Sequence, residues 1–136
     1  MSKVKTKPSR KKPARVEPPP LRYVKHLRGH RVLLPNRREV LAYCRARPFL
    51  ARELPRISAR ARAFFGTGAE LSLVVYKDPE IDDRYLTMYV RTDPLQADLM
   101  DRIEELNREF HEGWNPDWGY LLLTTDFRKP QGRHGV

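Results

Sequence analysis

The sequence predicts an α+β domain in which N-terminal helices pack against a three-stranded ββαβ mixed sheet. Three observations support this class. Two stretches between residues 70 and 92 alternate apolar and polar side chains, other stretches repeat apolar residues every three or four positions, and prolines and glycines separate them. A chain of 136 residues is long enough for one core and short for two ordinary domains. We therefore expect a single domain over residues 22–136.

The tail over residues 1–21 combines basic residues and prolines with few apolar side chains. Its first 20 positions hold seven Lys/Arg and five Pro, with only Met1, Val4 and Val16 as sizeable apolar residues. Such a segment cannot offset its ordering entropy by burial, so we predict disorder that ends in a stiff Pro18–Pro20 spacer. Two roles are open for it: an arm that follows phosphates, or a solubilising extension.

A first helix is expected after a short strand at Val32–Leu34. Asn36 fits the N-cap position, and Glu39 stands three residues later as in a capping box. This helix should run from Arg37 to about Arg47, because Pro48 cannot continue it. Its buried positions would be Val40, Leu41 and Cys44.

A second helical stretch follows, with a reset expected at Pro55. Its apolar residues recur at intervals of four, three, four and three, which places them on one helical stripe. Gly66 and Gly68 form the stop signal. The stripe consists of Leu50, Leu54, Ile57, Ala61 and Phe64.

The stretches ELSLVVYK (residues 70–77) and RYLTMYVRT (residues 84–92) predict the first two strands of the sheet. In each, apolar side chains alternate with other residues, and only six residues containing Pro79 separate the stretches. A β-hairpin is the simplest connection between them.

A third helix and a third strand complete the predicted domain. Asp93 and Pro94 resemble an N-cap followed by proline at the first helical position, and apolar residues then recur from Leu95 to Phe110 at helical spacing. YLLLTTDF, at residues 120–127, is the third strand. Because a helix joins it to the second strand, we expect the two strands to be parallel with a right-handed crossover.

Four carboxylates lie in the hairpin loop, and Asp126 closes the third strand. The crossover places Asp126 at the far end of the second strand, roughly 25 Å from the loop, whereas ligands of one hard cation lie ~2–2.6 Å from it. The loop also lacks the spaced acidic and glycine positions of a calcium loop. We therefore predict a turn that Asp78 starts at Pro79 rather than a metal site. The loop carboxylates are Asp78, Glu80, Asp82 and Asp83.

The carboxyl ends of the parallel strands bring Arg91, Asp93 and Asp126 to one edge. Ligands favour such edges in open α/β sheets, so these three are candidate catalytic residues for a hydrolase or nuclease. Two structural roles compete with this hypothesis: Asp93 as a helix cap, and an ion pair between Asp126 and Arg128.

Other patterns in the sequence give only weak indications of a metal, catalytic or phosphate-binding site. His26, His30 and Cys44 offer three zinc ligands where a structural site takes four, and Cys44 occupies an apolar helical position typical of a buried thiol. No phosphate-binding glycine loop or nucleophile elbow is present. We predict neither a metal nor a cofactor.

Aromatic residues allow two interpretations on the second strand. Tyr85, Thr87, Tyr89 and Arg91 share its non-core face and are either a stacking platform for single-stranded RNA or ordinary strand residues covered by a helix. The pair Trp114/Trp118 is expected to pin its loop to the core.

Charge divides the chain into a basic and an acidic half. Residues 1–65 hold 19 Lys/Arg against three Glu, whereas residues 66–136 hold eight against 14 Asp/Glu, for a net charge of +10. Proteins with a large positive net charge tend to bind polyanions. Candidate phosphate contacts are Lys11 and Lys12 in the tail and Arg52, Arg56 and Arg60 on one helix face. The acidic partners that would instead pair with this helix face internally are Glu104, Glu105, Glu109 and Glu112.

Three functional hypotheses follow. The leading one is a non-catalytic module that binds nucleic acid with low sequence specificity. The alternative is a protein-interaction partner in a small two-protein system, and the third is a hydrolase or nuclease at the strand ends. One cysteine and no apolar run of ~20 residues favour a cytoplasmic protein without a membrane partner.

The phrase DPEIDDRYLTMYVR at residues 78–91, with TTDF at residues 124–127, resembles the signature of a small, uncharacterised bacterial protein family. The resemblance covers roughly residues 35–128 and leaves the tail outside it. It implies a bacterial cytosolic protein and brings no activity, cofactor or catalytic residue.

Overall fold

The computed structural model describes residues 19–132 of the chain. The predicted disordered tail lies outside these residues, except for its last three positions. There the structure differs, since Pro19 opens helix α1 (Pro19–His26) where a spacer was expected. Proline fits the first turn of a helix because its fixed φ suits the helix and its missing N–H is not needed there. Val24 in α1 and Leu27 just after it are fully buried, so the core holds this segment.

The described residues contain four α-helices and four strands, and the strands form one mixed sheet. After α1 the elements are a 3-10 helix (Leu27–His30), β1 (Val32–Leu33), α2 (Arg37–Arg45), α3 (Pro48–Phe65), β2 (Glu70–Asp78), β3 (Asp83–Arg91), α4 (Leu99–His111), a 3-10 helix (Pro116–Trp118) and β4 (Leu121–Thr124). The sheet order is β1-β2-β3-β4; the central pair is antiparallel and both outer pairs are parallel. This confirms the α+β class, the hairpin and the parallel third predicted strand. It corrects the strand count of the sheet, because the short strand expected at Val32–Leu34 forms over Val32–Leu33 and joins the sheet as a fourth strand beside β2.

One face of the sheet is apolar and belongs to the core. Across the hairpin, Leu71 lies opposite Val90 and Leu73 opposite Met88, while Leu86 lies opposite Leu121 in the neighbouring pair. Helix residues join the same buried cluster, so the helices and this face form one core. The alternate residues form what we call the outer face, and its larger side chains do not belong to that cluster. The outer face comprises Ser72, Val74, Tyr76, Tyr85, Thr87, Tyr89 and Leu122.

Helices α2 and α3 form largely as expected. The Asn36 side chain accepts a hydrogen bond from the Glu39 backbone N–H at 3.3 Å, which confirms the cap. The predicted reset at Pro55 is absent, since α3 is one helix across it. Leu54 and Ile57, on either side of that proline, are both buried, and their packing offsets the backbone hydrogen bond that proline cannot make.

Helix α4 begins at Leu99, five residues later than the Asp93–Pro94 signal predicts. Leu95 is half exposed and takes no part in the stripe, although Leu99, Ile103, Leu106 and Phe110 are buried as expected. The intervening residues carry the chain from the end of β3 to α4, which packs against the apolar face of the sheet. The four-residue spacing between Leu95 and Leu99 equals one helical turn, but no helix forms over these residues.

Side chains of α4 cover the free edge of β4. The Asn107 amide donates to the Leu123 carbonyl at 2.8 Å and accepts from the Leu123 N–H at 3.0 Å. One turn later, His111 Nε2 lies 2.8 Å from the Leu121 carbonyl oxygen. Unpaired edge groups are templates for association with other strands, so these contacts close that edge.

Replacing Asn107 by Ala should lower the free energy of unfolding by about 1–3 kcal/mol, because two backbone groups of Leu123 lose their partner. Alanine favours helices more than asparagine does, so helix propensity cannot cause the loss. Urea denaturation measures the effect. The matched control is Arg108→Ala, whose exposed side chain has no hydrogen bond or ion pair among the described residues, and it should change stability by less than about 0.5 kcal/mol. Equal stabilities of the two variants would contradict the edge role.

Candidate functional site

An ion-pair cluster forms where the sequence predicts a strand-end site. Arg91 Nε and Nη2 donate to the two carboxylate oxygens of Asp126 at 3.1 and 2.8 Å, and Nη1 donates to Glu70 at 3.1 Å. Asp93 is exposed and has no contact in this cluster. The prediction thus located the Arg91–Asp126 neighbours but not Glu70. The hairpin register contains that signal, since Glu70 lies directly opposite Arg91.

The electrostatics of this ion-pair cluster indicate a structural role. The hydrogen bond from Arg91 holds the pKa of Asp126 below its usual range, against the opposing effect of burial. The Glu70 carboxylate also accepts from the backbone N–H groups of Gln131 at 2.8 Å and Gly132 at 2.7 Å. The cluster therefore fastens the C-terminal segment to β2 and β3, and the lowered pKa leaves Asp126 without the proton that a general acid must donate.

The acidic hairpin loop is separate from this cluster. Asp78 accepts a hydrogen bond from the Glu80 N–H at 2.9 Å, which is the expected turn at Pro79. Asp78 pairs with Asp83 at one end of the hairpin, and Glu70 pairs with Arg91 at the other. Within residues 19–132 there is no group of three or more His, Cys, Asp or Glu side chains placed to hold a metal ion.

The arginines on the exposed side of α3 find partners inside the protein. Arg56 pairs with Glu53 at 2.7 Å, and Arg60 forms two hydrogen bonds, of 2.8 and 2.9 Å, with Glu109 of α4. Arg52 places its guanidinium 4.9 Å from the centre of the Phe49 ring. Exposed ion pairs of this kind contribute only ~0–1 kcal/mol, so a phosphate can compete with them.

A groove of about 640 Å³ lies between the first 3-10 helix, the end of α3 and the start of β2. We call it the arginine groove, because Arg28, Arg31 and Arg62 line it together with Thr67 and Gly68. No local sequence pattern predicts this groove, since only the fold brings residues 28–33 against residues 62–70.

Arg62 organises the groove through backbone carbonyl groups. Its guanidinium donates to the carbonyls of His30 at 3.1 Å, Gly66 at 2.9 Å and Arg31 at 3.3 Å, and also to that of Ala69. Burial, followed by the charge of Arg31, lowers the pKa of Arg62. Carbonyl groups satisfy its donors without neutralising its charge.

The arginine groove therefore keeps a positive potential. Among the described residues Arg28, Arg31 and Arg62 have no carboxylate within ion-pair distance. One carboxylate, that of Glu70, is among the lining residues, and it is paired with Arg91. Guanidinium groups match phosphate geometry through paired N–H donors, so the groove is suited to an oxyanion.

The proposed tyrosine platform is only partly available. Thr87 is 2% exposed and Arg91 is locked in its ion pairs, whereas Tyr85 and Tyr89 are half-buried on the outer face. Tyr85 contacts two further tyrosine rings, with centroids 5.2 Å away for Tyr76 and 5.7 Å for Tyr120.

The tryptophan pair and Cys44, which the sequence also singles out, have contacts and burial typical of structural residues. Phe49 stacks on Trp118 with ring centroids 4.2 Å apart and meets Trp114 edge-on, which confirms that the tryptophans anchor their loop. Burial raises the pKa of Cys44 to about 12, so its thiol stays protonated at neutral pH and is a poor nucleophile.

Comparisons with known proteins leave the site to be interpreted from its own geometry. No family model matches this chain, and neither a curated protein nor a solved structure matches it. Within the described residues, no helix has both the length and the apolar character needed to cross a membrane.

The Asp126–Arg91 pair predicts a pH-dependent part of the stability. Pairing lowers the pKa of Asp126 in the folded state below the unfolded value of ~3.9. The stabilisation is therefore complete above that pH and is lost as the pH falls through the folded-state pKa. We expect Asp126→Asn to be less stable than the wild type by about 1–3 kcal/mol near pH 7, and the difference to shrink near pH 2.5.

Urea unfolding at the two pH values measures this difference. Asp93→Asn is the matched control, because that carboxylate is exposed and lies outside the cluster. A difference for Asp126→Asn that stays constant between the two pH values would contradict an ionic origin.

Proposed function

We propose that this protein is a non-catalytic nucleic-acid-binding module that contacts phosphates through its basic half. The observation that carries the proposal is the arginine groove, where Arg28, Arg31 and Arg62 keep their charge free of carboxylate partners among the described residues. Phosphate contacts position a protein on a nucleic acid but carry no base information. Low sequence specificity therefore accompanies this mode of binding.

In this proposal the basic residues of the tail add phosphate contacts to those of the arginine groove. The tail joins α1, whose eight residues span about 12 Å and lead directly into the 3-10 helix that carries Arg28. Lys11 and Lys12 would then follow the phosphate backbone away from the arginine groove. Their contacts add affinity through release of counterions, and that affinity falls as salt increases.

The exposed arginines of α3 take a smaller part in this proposal. Arg56 and Arg60 must exchange Glu53 and Glu109 for a phosphate, and the exchange cancels part of the gain. Arg52 has no carboxylate partner among the residues described here and makes the more effective contact.

Protein recognition is the second candidate function, and one observation favours it. Ile81 is 62% exposed in the middle of the acidic hairpin loop. An apolar side chain ringed by charges suits the centre of a small protein interface. This alternative predicts a stoichiometric protein complex that survives nuclease treatment. The hydrolase or nuclease hypothesis gains no support from the Arg91 cluster, because its carboxylates are bound to Arg91.

Binding of a labelled oligonucleotide across about 50–300 mM salt tests the proposal. The double variant Arg28→Gln/Arg31→Gln should weaken binding by at least tenfold at the lowest salt and reduce the salt slope by about one per lost contact. Arg38→Gln/Arg108→Gln removes the same charge from exposed arginines outside the arginine groove and should weaken binding by less than threefold.

Two further variants measure how much the tail and the α3 arginines contribute to binding. Removal of residues 1–18 should lower the salt slope again, and Arg56→Gln/Arg60→Gln should have an effect smaller than that of the groove variant. Salt-independent binding or no binding by the full chain would overturn the proposal, as would equal losses in the groove variant and its charge-matched control.

A further inference from the structure

A second pocket, of about 520 Å³, opens at the opposite end of the hairpin from the arginine groove. It lies where β3 and β4 begin and α2 ends. We call it the tyrosine pocket, and its defining side chains are Tyr43, Arg47, Arg84, Tyr85 and Tyr120.

A fixed aromatic ring forms one wall of the tyrosine pocket. Tyr120 is 37% exposed, stacks on His111 with centroids 4.8 Å apart and meets Tyr85 edge-on. The Tyr43 hydroxyl holds its backbone in place, since it accepts from the Tyr120 N–H at 3.0 Å and donates to the Tyr120 carbonyl at 3.5 Å. Such a ring offers a stacking surface whose ordering cost has already been met in the folded protein.

Two arginines supply positive charge to the same pocket. Arg47 lies over the Tyr43 ring at 3.9 Å from its centre, and its guanidinium has no carboxylate partner among residues 19–132. Arg84 is exposed, and its side chain is likewise without a partner in that range. Asp83 also lines the pocket and accepts a hydrogen bond from the Arg84 N–H at 2.9 Å. The two cations outnumber the single carboxylate.

An aromatic ring beside unpaired arginines is the combination that binds a base and its phosphate together. The face of a base is available for stacking on a side chain when the strand is single, whereas base pairing and stacking close it in a duplex. We infer that the tyrosine pocket binds a nucleobase of single-stranded nucleic acid, an inference that rests on the proposed function. The ring of Tyr120 would stack on the base, and Arg84 and Arg47 would contact the adjoining phosphates.

The distance between the two sites suits one strand. Tyr85 stands six residues before Arg91, whose partner Glu70 lines the arginine groove, so the sites lie roughly 20 Å apart along β3. Single-strand binding sites cover ~4–16 nucleotides, which is enough to reach from one site to the other. Tyr89 lies between them on the outer face. A single strand would engage both sites, while a duplex would engage the arginine groove alone.

The test compares binding of a labelled single strand of about 16 nucleotides with binding of its duplex by the full chain. Tyr120→Leu should weaken single-strand binding at least fivefold and duplex binding less than twofold, because only the stacking contact is lost. Tyr120→Phe keeps the ring and should bind like the wild type. Phe127→Leu is the matched control, since Phe127 is a 61% exposed aromatic outside the pocket.

Arg84→Gln provides a second measurement that leaves the aromatic wall intact. It should reduce the salt slope for the single strand by about one and leave the slope for the duplex unchanged. If Tyr120→Leu fails to fold in a thermal melt, the salt slopes of Arg84→Gln decide the question.

The outcomes separate this inference from the proposed function. Equal losses on single strand and duplex, or no loss for Tyr120→Leu while Arg28→Gln/Arg31→Gln still weakens binding, would overturn the tyrosine pocket alone. Absence of salt-dependent binding by the wild type to either nucleic acid would overturn the proposed function and this inference with it.

Discussion

The hydrogen bonds of Arg62 to backbone carbonyls are the interaction on which the basic side of this structure depends. Helix ends leave carbonyl groups without partners, and here the end of α3 meets the turn before β1 and the start of β2. One guanidinium satisfies Gly66, Ala69, His30 and Arg31 together. Because these acceptors are neutral, the fold is closed at this point with a positive charge left in place. Structure and potential binding site therefore arise from the same side chain.

Arginine and lysine are distributed differently along the chain. Residues 1–18 hold five Lys and two Arg, whereas residues 19–132 hold three Lys and 16 Arg. Lysine provides a point charge on a long stem, which is sufficient for a contact with one phosphate. A folded surface gains more from a planar guanidinium, which can bond carbonyls as Arg62 does, lie over a ring as Arg47 does, or pair with a carboxylate as Arg60 does. The composition thus fits the two kinds of phosphate contact that the proposed function assigns to the two parts of the chain.

Local periodicity made much of the fold predictable. The hairpin and the stripe on α4 follow from patterns within a few residues, and the parallel pairing of β4 follows from the helix that joins it to β3. Burial of Leu73, Met88 and Ile103 agrees with these predictions. Features set by distant contacts were missed. A short strand at Val32–Leu34 was expected, but its place in the sheet depends on pairing with Leu71 and Ser72, and the start of α4 depends on the path from the sheet to the helix layer.

The candidate site was less predictable than the fold for the same reason. Arg91 and Asp126 end neighbouring strands, so topology alone brought them together, yet Glu70 joins them only because of the hairpin register. Arg28 and Arg62 stand 34 positions apart in the chain, and no local pattern connects them. Tyr120 sits at the start of a predicted strand, where nothing in the sequence reveals that Tyr43 and His111 will fix its ring.

The kind of partner that each arginine finds determines whether its charge is cancelled within the fold. Arg91 and Arg60 meet carboxylates, so their charge is cancelled within the fold and their removal acts on stability. Arg62 donates to backbone carbonyls and Arg47 lies over a tyrosine ring. Both guanidinium groups therefore have a partner in the fold and keep their positive charge. A phosphate arriving at either of these arginines gains Coulomb energy without displacing an internal anion. The same net charge spread over carboxylate-paired arginines would give a weaker site, which is why the distribution of partners, more than the total of +10, supports polyanion binding.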